Sequence, residues 1–219
     1  MSQLKLTADS GGGTVAIKGP ASTTGNAALE MTVPSTASDT LDSLKRSGNI
    51  LQVVKTNVTA TSSYGTSANS HYTLTPLNTT ITPVGTNSHY IISAQVSGEG
   101  TVSNQQYFLR LVRNTTSGFA DASNVAIAVG DNGSNNTAPE NTSAFHGYHA
   151  ENNDSTISTA HISSYVDSPS VSAGGNLQYK VQLYMQTGTT WYMNRTKTEY
   201  NQTYGEYLPS WITVMEVAA

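Results

Sequence analysis

Apolar and polar residues alternate with a period of two along most of this chain. Leu177, Tyr179, Val181, Leu183 and Met185 alternate with Gln178, Lys180, Gln182 and Tyr184. Tyr90, Ile92, Ala94 and Val96 alternate with Ile91, Ser93 and Gln95. A strand turns successive side chains to opposite faces, so each pattern predicts a strand with one buried side. Tyr107, Leu109 and Leu111 alternate with Phe108, Arg110 and Val112, and Ile212 and Val214 with Trp211, Thr213 and Met215. Further runs at 50–59, 71–82, 124–129, 157–165 and 189–195 bring the expectation to eight or nine strands, separated by Gly, Asn and Ser turns. The predicted fold is all-β, a jelly-roll β-sandwich over 50–219.

Two of these runs, 107–112 and 211–217, are apolar on both faces. A sandwich buries one face of each strand, so the second face needs another cover. Subunit association supplies it most economically, and a homo-oligomer is expected. Trp191, Trp211, Phe108 and Val112 are the candidate residues for that interface or for the core.

Residues 1–35 read as a separate small β-unit. Leu4–Ala8, Thr14–Lys18 and Ala28–Val33 are short alternating runs parted by Gly11-Gly12-Gly13 and by a Gly/Pro/Ser/Thr stretch. A patch of this size is marginal in water unless it packs on something, and copies from neighbouring subunits would serve. Residues 36–49 form a connector with the best helical candidate. Asp39 or Thr40 would cap it, Leu41 and Leu44 share a face, and Gly48 would end it.

Composition narrows the partners. Lys and Arg number 10 and Asp and Glu 14, a formal charge of −4, which disfavours nucleic acid and anionic membranes. Cysteine is absent, which excludes disulfides and thiolate chemistry. No apolar run reaches the roughly 18 residues of a membrane span. Met1–Lys5 turns polar before any apolar signal core, so a soluble protein is expected. Ser, Thr and Asn together supply 76 of 219 residues, and with 12 Tyr they suit strands and turns rather than disorder.

Several segments together are similar to a known family. Gly48-Asn49-Ile50-Leu51-Gln52-Val53-Val54, then Leu77–Pro83 and Ser88–Ile92, resemble the opening of a β-sandwich domain frequent in phage structural proteins, especially those of marine cyanobacterial phages. The closing Lys180–Leu183, Trp191–Arg195 and Ser210–Val217 match as well. Thr14–Ala21 and Leu29–Pro34 are similar to short β-repeats that begin such proteins. The resemblance implies a jelly-roll head of the tumour-necrosis-factor/C1q type, assembled as a homotrimer on the virion surface. A short tail fibre mediating host adhesion is the expected function, with capsid decoration, as a cement or head-fibre protein, the alternative. The N-terminal unit would then dock on other virion proteins. A typical long fibre has a shaft, which this chain lacks.

Candidate chemistry is sparse. Trp191, Tyr192, Tyr200, Tyr204, Tyr207 and Trp211 lie within 21 residues. Aromatic rings give a large, rigid contact area with polar edges. Tyr192, Tyr200, Tyr204 and Tyr207 are therefore the candidate contacts to host surface glycans, while core packing claims the same letters. His146 and His149 lie near Glu151 and Asp154 in a segment that reads as a loop, and could hold a metal, although their spacing matches no zinc signature. Asp131–Asn136 offers one carboxylate where calcium loops assemble several. A glycan depolymerase would need two facing carboxylates, and no pattern fixes Glu140, Glu151, Asp154 and Asp167 at such a separation. No nucleophile elbow, phosphate loop or zinc-protease motif occurs. The chain is expected to be non-enzymatic and to need no cofactor.

Overall fold

The period-two segments form strands wherever the chain can alternate a core-facing residue with a polar one. The computed structural model describes residues 3–7, 14–18, 47–68, 70–101, 105–129, 145–149, 157–185, 187–198 and 206–219. The chain divides into two compact units, Met1–Asp42 and Ser43–Ala219. In the first, β1 (Gln3–Thr7) and β2 (Thr14–Lys18) form an antiparallel hairpin with Gln3 opposite Lys18 and Thr7 opposite Thr14. The third run, 28–33, and the helix expected before Gly48 lie outside the described residues.

The second unit contains β3 (Ile50–Val58), β4 (Ser62–Thr66), β5 (Ser70–Thr73), β6 (Thr79–Thr80), β7 (His89–Gly100) and β8 (Gln105–Asn114). It continues with β9 (Val125–Ile127), β10 (Phe145–His149), β11 (Ser158–Asp167), β12 (Gln178–Met185), β13 (Thr189–Met193) and β14 (Ser210–Val217). They make two antiparallel sheets. Sheet I has the order β3-β14-β7-β13-β4, with β11 along the other side of β7. Sheet II has the order β10-β8-β12-β5, with β6 on β12 and β9 on β8. The chain is an all-β protein consistent with a β-sandwich.

Two sequence expectations change here. The run 71–82 breaks into two short strands around a 3-10 turn at Thr75–Leu77. Pro76 cannot donate to a ladder, so a continuous strand is interrupted there. Phe145–His149, read as a loop, is strand β10, with His146 opposite Phe108 and His149 opposite Gln105 on β8. Backbone pairing with the 10-residue β8 makes this segment a strand although its own sequence shows no clear alternation.

Large aromatic side chains lock the sheets together. Trp191 of sheet I meets Tyr107 of sheet II with ring centroids 5.9 Å apart, and Tyr90 meets Tyr179 at 6.0 Å. All four are fully buried. Such side chains bury on the order of 150–250 Å² each, and truncating one to Ala costs about 3–5 kcal/mol. Tyr107 donates its hydroxyl to the Ser158 carbonyl and Tyr179 donates to the Asp167 carboxylate, so both polar ends are satisfied. Burial pushes both phenols well above their ordinary range. Gly98 makes room for the Trp191 indole, since a Cβ there would overlap the ring. The two ends of the unit are tied together where Gly48 donates to Ala218 and Ala218 donates to Asn49.

Candidate interaction surfaces

The inward residues of β7 and β14 fill the core, which fixes the opposite set outward. On sheet I, Val53 of β3 pairs with Met215 of β14, Met215 with Ile91 of β7, and Ile91 with Val166 of β11. Four strands thus carry one apolar row across the outer face. Its ends are open, Val53 at 57% and Val166 at 54% exposure, and Ile50, at 58%, pairs with Val217 beside it. The next rows hold Lys55, Thr213 and Ser93, then Asn57, Trp211, Gln95 and His161. No carboxylate falls in these rows. Lys55, their formal cation, sits over the Trp211 ring at 5.4 Å.

The outer face of sheet II is closed by its own chain. Every residue of β12 is buried. Lys180 of β12 pairs with Val112 of β8, and its ammonium donates to the Phe119 carbonyl at 2.5 Å and to Asp121 at 2.8 Å. Those partners belong to two 3-10 turns, Ser117–Phe119 and Asp121–Ser123, directly after β8. Burial opposes ionisation of Asp121, but the Lys180, Thr73 and Asn124 contacts win and hold its carboxyl below the ordinary range. Arg110 adds two bonds to the Gln182 amide oxygen.

Two further carboxylates are structural. Glu216, fully buried, accepts from the Val84 and Gly85 backbone N–H groups and from the Gln52 amide. Burial raises its proton affinity, and these donors outweigh it, so the carboxyl lies below its ordinary value. Asp167 accepts from Arg113 at 2.6 Å and from Tyr179 at 2.9 Å, which occupies both of its oxygens.

The candidate aromatic cluster is divided by the strands. Trp191 and Tyr192 are neighbours on β13 and therefore point to opposite faces: Trp191 is in the core, and Tyr192 is half-buried with the Arg195 guanidinium 4.2 Å from its ring. Trp211 is half-buried on the outer face of sheet I, where it pairs with Gln95 while Tyr192 pairs with Glu99. Four residues of β7 separate the two, on the order of 13 Å. Tyr207, 53% exposed, lines a small hollow of about 250 Å³ with Thr59, Asn194 and Pro209. Tyr200 and Tyr204 lie outside the described residues. Phe108 is half-buried against Tyr184, 6.0 Å away, and Val112 is fully buried on the side of β8 opposite the core-facing Leu109 and Leu111.

For His146 and His149 only the strand is described, and Asp131–Asn136, Glu140, Glu151 and Asp154 lie outside the described residues. Among the described residues no group of three or more His, Asp or Glu is placed to hold a metal. Among them, too, no helix is long and apolar enough to cross a membrane. No family model matches the chain, and no curated protein matches it. Sequence reasoning missed the apolar row itself. Ile91 and Met215 stood opposite the core-facing residues of their strands, but Val166 falls beyond the expected run 157–165, and only strand register aligns the four.

Proposed function

We propose that this chain is a non-enzymatic structural protein of a virion surface, a homotrimer that adheres to the host cell as a short tail fibre. The observation that carries the association is the row Val53–Met215–Ile91–Val166 on the outer face of sheet I. The outer face that carries this row spans four strands at about 4.8 Å and eight residues at about 3.4 Å, roughly 500 Å² in projection including the polar rows beside it. That is the scale of one side of a specific protein contact, roughly 800 Å² of accessible surface. With no carboxylate in these rows and Lys55 held over the Trp211 ring, few like charges would meet in a contact between identical chains. Threefold symmetry and the virion setting rest on the resemblance of the strand motifs to phage β-sandwich proteins. Adhesion then gains by avidity, three weak sites acting at high effective concentration.

Sedimentation equilibrium tests the assembly: three chains of 23.1 kDa give about 69 kDa. A single-chain mass at micromolar concentration overturns it. Binding of purified protein to host cells tests the adhesion, and a low formal charge predicts attachment that changes little between 50 mM and 500 mM salt. Labelled imaging of particles decides the location. Signal on the tail supports the fibre, and signal on the head replaces it with capsid decoration.

A further inference from the structure

An open groove of about 860 Å³ runs between β9, at one edge of sheet II, and β11, at one edge of sheet I. Its size falls in the range of small-ligand sites. Arg113, Val125, Ile162, Ser163, Ser164 and Tyr165 are among the residues that line it. The β11–β7 ladder breaks between Ile162 and Tyr165, so Ser163 and Ser164 have no partner residue on β7 in the register. Ser164 has φ 54° and Ala128, across the groove, has φ 56°, both in the left-handed region that residues with a Cβ seldom adopt. Strained backbone gathers at functional clefts more than elsewhere.

Three classes of occupant can be separated on these features. An added β-strand fits poorly, because β9 has three residues and β11 bulges along the groove, and short or bulged edges resist pairing. An anion fits poorly too. The Arg113 guanidinium is already neutralised by Asp167 at 2.6 Å, and that carboxylate would repel a second negative charge. A neutral polyol fits well. The remaining Arg113 N–H groups and the two serine hydroxyls offer donors and acceptors within one cleft, while the Ser164 backbone N–H is held by the Ser93 hydroxyl at 3.1 Å. Val125, exposed on β9, and Ile162 with Tyr165 on β11 offer the apolar flank that the C–H face of a pyranose needs.

We propose that the groove between β9 and β11 binds a neutral oligosaccharide, with Arg113, Ser163 and Ser164 contacting its hydroxyls and Val125, Ile162 and Tyr165 covering a ring face. The sugar's source on a host surface rests on the adhesion reading above. The binding itself does not. Val166, at the groove's rim, also ends the apolar row, so in the assembled protein the site would border a subunit contact.

The full chain is titrated calorimetrically with neutral tetrasaccharides of glucose, galactose, mannose and N-acetylglucosamine, and with tetragalacturonate as the anionic probe. At least one neutral sugar is expected to bind, with Ser163→Trp weakening it tenfold or more by filling the groove. Arg113→Lys keeps the charge, loses the guanidinium fork, and should weaken binding severalfold, which keeps the proposal testable if the first variant does not fold. No binding by any neutral sugar, tighter binding of tetragalacturonate, or unchanged affinity in both variants overturns the proposal. Loss of the assembled mass in Ser163→Trp also overturns it, since the groove would then be a subunit contact. Host-cell binding separates the two readings. Weakened sugar binding with adhesion unimpaired in both variants keeps the groove as a sugar site and takes it out of adhesion, whereas sugar binding by a protein that does not adhere to host cells keeps the groove and removes the adhesin.

Discussion

On β8 and on β14 apolar residues occupy both sides of the strand, yet their outer faces end differently. Val112 of β8 is fully buried within a single chain, while Met215 of β14 lies in a row whose ends, Val53 and Val166, are more than half exposed. The path of the connecting segments makes the difference. The chain leaving β8 turns back at once through two 3-10 turns and is pinned by Lys180, by Thr73 donating to Asp121, and by Asn114 donating to Ala120 and Asn124. On sheet I the comparable cover is partial. Lys197 donates its backbone N–H to Glu99 near the far end of β7, which leaves the apolar row open among the described residues. The same two-sided pattern therefore marks a self-covered face in one sheet and an open face in the other.

Charging the open face should have the largest effect. On the proposed trimer, Met215→Glu buries an unpaired carboxylate in each contact and should cost about 3 kcal/mol or more per interface. Sedimentation should then give the single-chain mass, while the free energy of urea unfolding of the subunit changes by no more than about 0.5 kcal/mol. A trimer that survives this change places its contact elsewhere.

Unpinning the closed face comes next. Asp121→Ala leaves the buried Lys180 ammonium with only the Phe119 carbonyl. Removing one partner of a buried pair costs about 3–5 kcal/mol, and the exposure of Asp121 reduces this to roughly 2. Urea unfolding should show that loss with the assembly mass unchanged, the reverse of the Met215→Glu outcome.

Acid should act on both sheets at once, through Glu216 in sheet I and Asp121 over sheet II. Both carboxyls lie below their ordinary values in the folded chain. The unfolded chain therefore binds protons first as pH falls. Their stabilisation is complete above about pH 5 and is lost as pH drops through the ordinary range near 4 and then through the depressed folded values. Glu216→Gln should flatten the acid limb of stability against pH, and an unchanged limb would assign it to other groups.

The smallest effect is expected at Lys55. Replacing it with Met removes the ammonium from the Trp211 ring at a cost of about 0.5 kcal/mol, measured by urea unfolding. It should leave assembly intact, because it makes the outer face less charged.

Much of the strand content was legible because alternation reports burial directly, residue by residue. The runs beginning at 50, 90, 107, 177 and 211 became β3, β7, β8, β12 and β14. β4 and β10 were not legible: Ser62-Ser63-Tyr64-Gly65-Thr66 and Phe145-His146-Gly147-Tyr148-His149 carry too few apolar residues to alternate clearly. Their hydrogen-bond partners are distant in sequence, on β13 and β8. The aromatic cluster near the C-terminus was legible as letters but not as an arrangement. Adjacent positions on β13 send Trp191 inward and Tyr192 outward.

By itself the sequence determined that the chain is built of strands, which residues of each strand share a face, and that some strands have two apolar faces. Those properties are local, since a period of two comes from the geometry of one extended backbone. The tertiary structure decided which outer face is covered, how four outward residues align into one row, and that a groove lies between two sheet edges beside a break in the β11–β7 ladder. Each of these depends on register and on the path of connecting segments, and register relates residues that lie tens to more than a hundred positions apart.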